Sequence, residues 1–273
     1  MVGRVALADE IAAAYGSRRV IVVPPSAREG GIELPLAYAV EAELVRRRRA
    51  SGHATVGCKV GYANKAMWRA LKLDTLAWAH MYDDTVRHAV DGHASLSSAR
   101  MVSPKIEPEI VFKLASAIPE DTTDAAAVLA HVEWLALGFE IIDCVYADWK
   151  FQPVDFVAAY GLHAALVVGA PTPVTAEAIP TLVEALASFT VTLSKGDTVV
   201  AEGAGRNSLR SPELCLAELA AARTRQPGQT PLKAGDLISS GTLTDSQLIY
   251  AGEQWSTHAA GLGVAPLTLD IGA

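Results

Sequence analysis

Cysteine is scarce in this chain of 273 residues. Cys58, Cys144 and Cys215 are odd in number, far apart and in no CxxC pair, which argues against a disulfide framework and a thiolate zinc site and fits a reducing cytoplasm. Positive charge is also short, with 23 Lys and Arg against 30 Asp and Glu and a formal net charge of -7. A general nucleic-acid binder is therefore not expected, and the basic run Arg46 to Arg49 reads as one solvated helix face. Long apolar runs are missing too. Val20 to Val23 falls short of a signal-peptide core, and Leu162 to Val168 is too short to span a bilayer. These absences predict a soluble cytoplasmic protein with no membrane and no nucleic-acid partner. There is no P-loop, since Gly261-Leu262-Gly263 lacks a third glycine and precedes a strand, and there is no GxSxG elbow, HExxH helix or zinc-spaced histidine pair. Carboxylates are left as the best-marked chemistry.

What is present suits a globular chain, 51% apolar and 19% charged, long enough for one large domain or a domain with a small appendage. Residues 4–15 and 36–49 read as helices, the second with Leu36, Val40, Leu44 and Val45 on one face. Pro24-Pro25 and Gly30-Gly31 break the chain between them, so residues 1–50 are expected to form an N-terminal helical segment with a mobile linker. Residues 51–273 carry short apolar stretches cut by turns. Asn64 caps a short helix, Asp91-Gly92 and Lys195-Gly196-Asp197 read as hairpin turns, and Thr123 opens an alanine-rich helix to about Leu135. Pro153 opens another short helix, Pro212 to Arg225 is amphipathic, and closing strands fall near 236–240, 253–259 and 264–270. Many strands with a few helices predict an α+β fold.

The chemistry centres on Pro104-Lys105-Ile106-Glu107-Pro108-Glu109-Ile110-Val111-Phe112. Residues two apart in a strand share a face, so Glu107 and Glu109 project side by side. Beside so apolar a run they call either for a hard cation such as Mg²⁺, Mn²⁺ or Ca²⁺ between them, or for an edge strand with a solvated acidic face, which Pro108 would suit. Glu140 and Asp143 are the next candidate ligands, or plain acids at a strand end. Lys59 and Lys150 stand beside apolar residues, where each can act as an acid or base of lowered pKa or pair with carboxylates. Asp83-Asp84 reads as a solvated turn or as a group orienting metal or water. His163 reads as a hydrogen-bonded core histidine or as a catalyst.

Five blocks in order resemble one family: Lys59-Val60-Gly61 with Asn64-Lys65-Ala66-Met67; Tyr82-Asp83-Asp84; Pro104 to Glu109; Glu140-Ile141-Ile142-Asp143 with Ala147-Asp148-Trp149-Lys150; and Ser240-Gly241-Thr242-Leu243-Thr244. Together, over about residues 36–270, they are similar to the 2-keto-4-pentenoate hydratases and 4-oxalocrotonate decarboxylases of the fumarylacetoacetate hydrolase superfamily. The resemblance implies a mixed β-roll around a Mg²⁺ or Mn²⁺ site, with Glu107, Glu109 and Glu140 as ligands. It implies that Lys59 and Asp83 or Asp84 line the substrate pocket, that Lys150 sits beside the metal, and that Thr242 helps hold a substrate carboxylate. Members act on 2-oxo acids or 2-hydroxydienoates. The expectation is a homo-oligomeric lyase hydrating a 2-hydroxy-2,4-dienoate through an enolate in aromatic-compound catabolism. The alternatives are a 2-oxo-3-enedioate decarboxylase, an acylpyruvate-type hydrolase and a non-catalytic partner subunit. Two stretches depart from the family pattern, Val157 to His163 and Gly205 to Pro212. Tyr160 and His163 are expected either to set substrate choice, His163 supplying a distal acid or base, or to pack in the core. Arg206 or Arg210 would pair with a second substrate carboxylate.

Overall fold

The computed structural model describes residues 3–226 and 230–273, among which it forms seven α-helices and fourteen strands. The first third holds α1 (Arg4–Ser17), α2 (Leu34–Ala50), β1 (Thr55–Gly61), α3 (Lys65–Leu71), β2 (Ala77–Tyr82), β3 (Val86–His88) and β4 (His93–Ser97). The middle holds β5 (Pro104–Leu114), α4 (Ala125–Leu129), β6 (Val132–Asp143), α5 (Pro153–Ala158), β7 (His163–Val168), β8 (Thr172–Pro173) and α6 (Ile179–Ser188). The rest holds β9 (Thr190–Lys195), β10 (Thr198–Ala204), α7 (Pro212–Thr224), β11 (Leu237–Ser239), β12 (Gln247–Leu248), β13 (Gln254–Ala260) and β14 (Leu267–Gly272).

Two mixed sheets result. The larger runs β2-β1-β11-β5-β6-β7-β3, with β12 added to β5 and β8 to β6; the smaller runs β10-β9-β13-β14-β4. Period-two alternation gives the large sheet two unlike faces. On β5 and β6, Ile106, Ile110, Phe112, Leu135, Leu137, Phe139 and Ile141 face the main core. Glu107, Glu109 and Val111, with Ala136, Gly138 and Glu140, take the other face, where Glu107 pairs directly opposite Glu140. The edge-strand alternative does not hold, because β5 is flanked by β6 on one side and by β11 and β12 on the other. Pro108 is tolerated because its backbone turns to the gap between β11 and β12, where its carbonyl accepts from Leu243 N–H at 3.0 Å and the missing donor interrupts no ladder.

The N-terminal helices pack against each other and against α5. The linker between them is tied down: Asp155 of α5 accepts Ser26 N–H at 2.8 Å and also the Ser26 hydroxyl, and Arg28 forks onto Glu10 at 2.6 and 2.8 Å. One buried cluster runs from Leu7 and Ile11 through Ile106 and Phe139 to Ile271. Two local expectations are corrected. The helix expected from Thr123 is only five residues, capped by Asp124 at Ala127 N–H, and Val132 to Asp143 becomes the long strand β6. Asp91-Gly92 makes a tight turn between Val90 and His93, but its strands part, β3 pairing with β7 in the large sheet and β4 with β14 in the small one. No helix among the described residues is long and apolar enough to cross a membrane.

Candidate active site

Adjacent long strands bring Glu107, Glu109 and Glu140 together, one oxygen of each lying within 4.8 Å of the others. Glu109 and Glu140 are fully buried, and Glu107 keeps partial exposure to a cavity. Glu109 Oε2 accepts from Ser239 Oγ at 2.5 Å and Gly241 N–H at 2.8 Å, while its Oε1 is buried with no partner. Gly241 can make that approach because its φ is +93° and a Cβ would lie 2.7 Å from that of Ala63.

Lys59 comes from β1 on the same face, its ammonium 3.0 Å from Glu140 Oε2 and donating to Gly161 O at 3.1 Å. The contact with Oε2 is ionic and not a well-directed hydrogen bond, so that oxygen also counts as unpartnered. His163 completes the cluster, Nδ1 lying 3.2 Å from Glu140 Oε1 and Nε2 2.9 Å from Thr85 Oγ1. A bulge puts it there: Ile141 pairs with Ala165 but Ile142 with His163, so the extra residue turns His163 onto the carboxylate face.

Burial and mutual repulsion set the proton affinities. Glu107 is pushed up to about 8, by burial first and by Glu109 and Glu140 next, with Lys59 opposing. Glu109 and Glu140 also rise through burial. Burial and the Lys59 charge press His163 down to about 3, which keeps the imidazole neutral. Burial would lower Lys59, as the sequence suggested, but the attraction of Glu140, Glu107 and Glu109 outweighs it and raises the pKa, so Lys59 remains an ammonium. With the carboxylates ionised, three negative charges and one positive leave two, the complement of one divalent cation. Oxygen-only donors, two of them buried without hydrogen-bond partners, fit a hard ion such as Mg²⁺ or Mn²⁺.

Lys59 and Glu107 bring the cluster to the floor of a cavity of about 630 Å³. Tyr62, Met67, Trp149, Phe151, Phe156 and Leu162 form an apolar wall; Asn64, Glu202, Asn207, Thr242 and Asp245 supply polar groups. Phe156 comes from the short helix opened by Pro153 and packs edge-on to Tyr62, ring centroids 5.2 Å apart. The Thr242 hydroxyl lines the cavity but donates to Thr244 O at 2.8 Å, and Asn207 Nδ2 donates to Leu243 O at 2.8 Å.

Several expected residues lie elsewhere. Lys150 is 80% exposed and pairs with Asp148 at 3.2 Å, because Asp148 and Trp149 both take left-handed backbone conformations (φ 54° and 57°) that turn the indole inward and the lysine out. Asp83 and Asp84 occupy the exposed turn after β2, Asp84 bonded to Arg48 and both within 3.5 Å of His53 Nδ1. Tyr160 does not line the cavity, since it is wedged edge-on between Tyr15 and Tyr82. Arg206 is exposed in a short 3₁₀ turn, Arg210 lies in another surface groove, and neither lines the cavity. Asp143 is no ligand, because it holds Val102 and Ser103 N–H groups at 2.7 to 3.0 Å. Sequence reasoning missed Lys105, whose ammonium lies 4.1 Å from the Trp149 ring centroid and whose charge lowers the Glu107 pKa, although it stands two residues before Glu107 on the strand. It also missed Glu202, Asn207 and Asp245, which no spacing pattern marks.

Residues 79–269 match the fumarylacetoacetate (FAA) hydrolase C-terminal family. Among curated relatives, a 2-hydroxyhexa-2,4-dienoate hydratase from Comamonas testosteroni is 28% identical over 231 residues, covering 85% of this chain and 84% of its own. A 2-keto-4-pentenoate hydratase from Paraburkholderia xenovorans is 28% identical over 227 residues, 83% of this chain and 80% of its own. A solved 4-oxalocrotonate decarboxylase from Pseudomonas putida G7, complexed with magnesium and adipate, superposes with a TM-score of 0.86 at 23% identity, covering 98% of this chain and 97% of that one. A fumarylpyruvate hydrolase from Pseudomonas aeruginosa in complex with Mn²⁺ and pyruvate gives 0.60 at 15% identity, covering 79% and 88%. At those identities the two structures speak for a shared mixed α+β fold.

Proposed function

The chain belongs to the fumarylacetoacetate hydrolase family, and from that membership we propose that it is a divalent-metal-dependent lyase hydrating a 2-hydroxy-2,4-dienoate in aromatic-compound catabolism. One observation carries the reading: three converging carboxylates, two of them with a buried oxygen that has no hydrogen-bond partner, lie beside a buried lysine, and that lysine and Glu107 open onto a cavity. The curated relatives that are hydratases, matched over four-fifths or more of their length, support hydration over other chemistry of the same carboxylates.

Glu107, Glu109 and Glu140 would hold Mg²⁺ or Mn²⁺, which when bound supplies Lewis acidity to a chelating 2-oxo acid. Lys59 uses one N–H on Gly161 O and faces Glu140 with another, leaving a third for a substrate oxygen in the cavity. Remaining charged, it acts as donor and proton source at that oxygen. His163 orients Glu140 and takes no part at the substrate. Thr242 can turn its hydroxyl to the substrate carboxylate, and Asn64 and Asn207 can position a water for addition. The aromatic wall keeps bulk water from the dienol. The helices α1 and α2 of the N-terminal segment serve as a packing layer behind α5. A cytoplasmic homo-oligomer completes the proposal, and three buried free thiols suit a reducing compartment.

The test is an assay of the purified protein with Mg²⁺ against 2-hydroxydienoates, 2-oxo-3-enedioates and acylpyruvates. A 4-hydroxy-2-oxo acid formed without loss of CO₂ supports the proposal. Release of CO₂ from an enedioate would make the protein a decarboxylase, and C-C cleavage of an acylpyruvate a hydrolase. No turnover of any of them would leave the partner-subunit alternative.

A further inference from the structure

The charges around the cavity are distributed unevenly. Its floor has Lys59, whose charge is paired with Glu140 and whose remaining N–H serves the 2-oxo end of the substrate. The other charged lining groups are all acidic: Glu107 at the floor, and Glu202 and Asp245 at the exposed rim. The last two come from neighbouring segments. Gly203 of β10 sits so close to the 241–246 loop that a Cβ would lie 1.9 Å from Leu243 O and 3.1 Å from Thr244 Cγ2, and the residues next to these contacts, Glu202 and Asp245, line the same cavity. Asn207 binds the same loop through Leu243 O. Nearby cations are engaged elsewhere: Lys105 lies over the Trp149 ring, and Lys65 lies over Trp68 and 3.9 Å from Glu218. Neither lines the cavity, and the arginines of the 205–212 stretch do not either.

From this arrangement we infer that the rim formed by Glu202 and Asp245 selects 2-oxo or 2-hydroxydienoic acids whose far end carries no second carboxylate. The inference rests on the proposed reading of the floor as the end that takes the 2-oxo carboxylate. A distal carboxylate would enter between two like charges and an aromatic wall with no cation facing it, whereas an uncharged tail meets the apolar wall and the asparagine amides.

The probes are two six-carbon acids, 2-oxohexanoate and 2-oxohexanedioate, titrated calorimetrically into the Mg²⁺-loaded protein, so that binding is read without turnover. The monoacid should bind about 25-fold more tightly, about fivefold for each rim carboxylate. Glu202→Gln combined with Asp245→Asn should shrink that ratio by about fivefold for each carboxylate, the factor for one unit charge at contact distance in water. About 0.5 M NaCl should shrink it in the same direction. Both positions are exposed, and an unchanged melting temperature checks that the variant is folded. Equal binding of the two acids, a ratio indifferent to the double substitution, or binding of neither acid overturns the inference. So does a preference for the diacid that Lys105→Met abolishes, which would assign the rim to a dianion. If the binding ratio behaves as expected while no dienoate is turned over, the hydratase reading fails and the rim's selectivity stands.

Discussion

Among the described residues, two acidic clusters meet the same geometric criterion for a metal site, and only one of the two has the electrostatics of one. His53, Asp83 and Asp84, like Glu107, Glu109 and Glu140, place ligand atoms within 4.8 Å of one another. Asp83 and Asp84 are 46% and 41% exposed, Asp84 is neutralised by Arg48, and water can satisfy the rest at little cost. Glu109 and Glu140 are shut off from water, only Glu140 has a cation beside it, Lys59 at 3.0 Å, and each keeps a buried oxygen without a hydrogen-bond partner. Leaving such charge uncompensated is costly, so the fold itself calls for a cation at one cluster and not at the other. The signature lies in oxygen atoms left without alternatives, and the count of acids does not reveal it.

The contrast can be tested by substitutions of decreasing effect. Lys59→Met should lower kcat for the proposed hydration by roughly 10²- to 10⁴-fold. Mg²⁺ should still stabilise that variant, because all three carboxylates remain and no ammonium competes with the ion for them. Steady-state kinetics with near-normal turnover would reduce Lys59 to a counter-ion. Glu109→Gln comes next. Mg²⁺ at about 100 times its Kd stabilises a folded protein by about 2.7 kcal/mol, or on the order of 5 °C in Tm, and this variant should lose most of that shift. Calorimetry with equal shifts in wild type and variant would reject the buried cluster as the ion's seat.

Titration separates the clusters next. The three glutamates have raised pKa values when folded, so as pH rises the unfolded chain gives up these protons first. Stability of EDTA-treated protein should therefore fall as pH rises above about 4.5 and keep falling at least to about pH 8, where Glu107 titrates, since Glu109 is held well above its ordinary range too. Mg²⁺ should flatten that slope, and a flat profile in EDTA would contradict the burial argument. The smallest effect belongs to Asp84→Asn, which should move Tm by about 1 °C at most and leave the Mg²⁺ shift unchanged. A lost Mg²⁺ shift in that variant would invert the comparison.

The sequence exposed what depends on local periodicity. Glu107 and Glu109 on one strand face, Asn64 as a helix cap and the Lys195-Gly196-Asp197 hairpin all follow from side-chain spacing or turn chemistry. It hid what depends on one irregular residue. The bulge near Ala164 decides which face receives His163, and two left-handed residues at Asp148 and Trp149 decide that the indole and not Lys150 faces the cavity. The alanines at 125–127 gave a helical signal that did not reveal where Val132 begins a strand held by β5 and β7. For Lys59 the sequence left a lowered pKa and pairing with carboxylates both open, and the structure shows the pairing, because its proton affinity depends on carboxylates 48, 50 and 81 residues away in sequence.

The rim is carried on the end of β10 and the 241–246 loop, while the glutamates stand on β5 and β6. Floor and rim therefore form separable modules that touch through few backbone contacts, chiefly Gly241 on Glu109 and Leu243 on Pro108. A combinatorial library confined to positions 202, 207, 245 and 246 could search tail preferences while those two anchors stay fixed. Glycine at 203 would have to be held constant throughout such a library, since any side chain there would push the two rim segments apart.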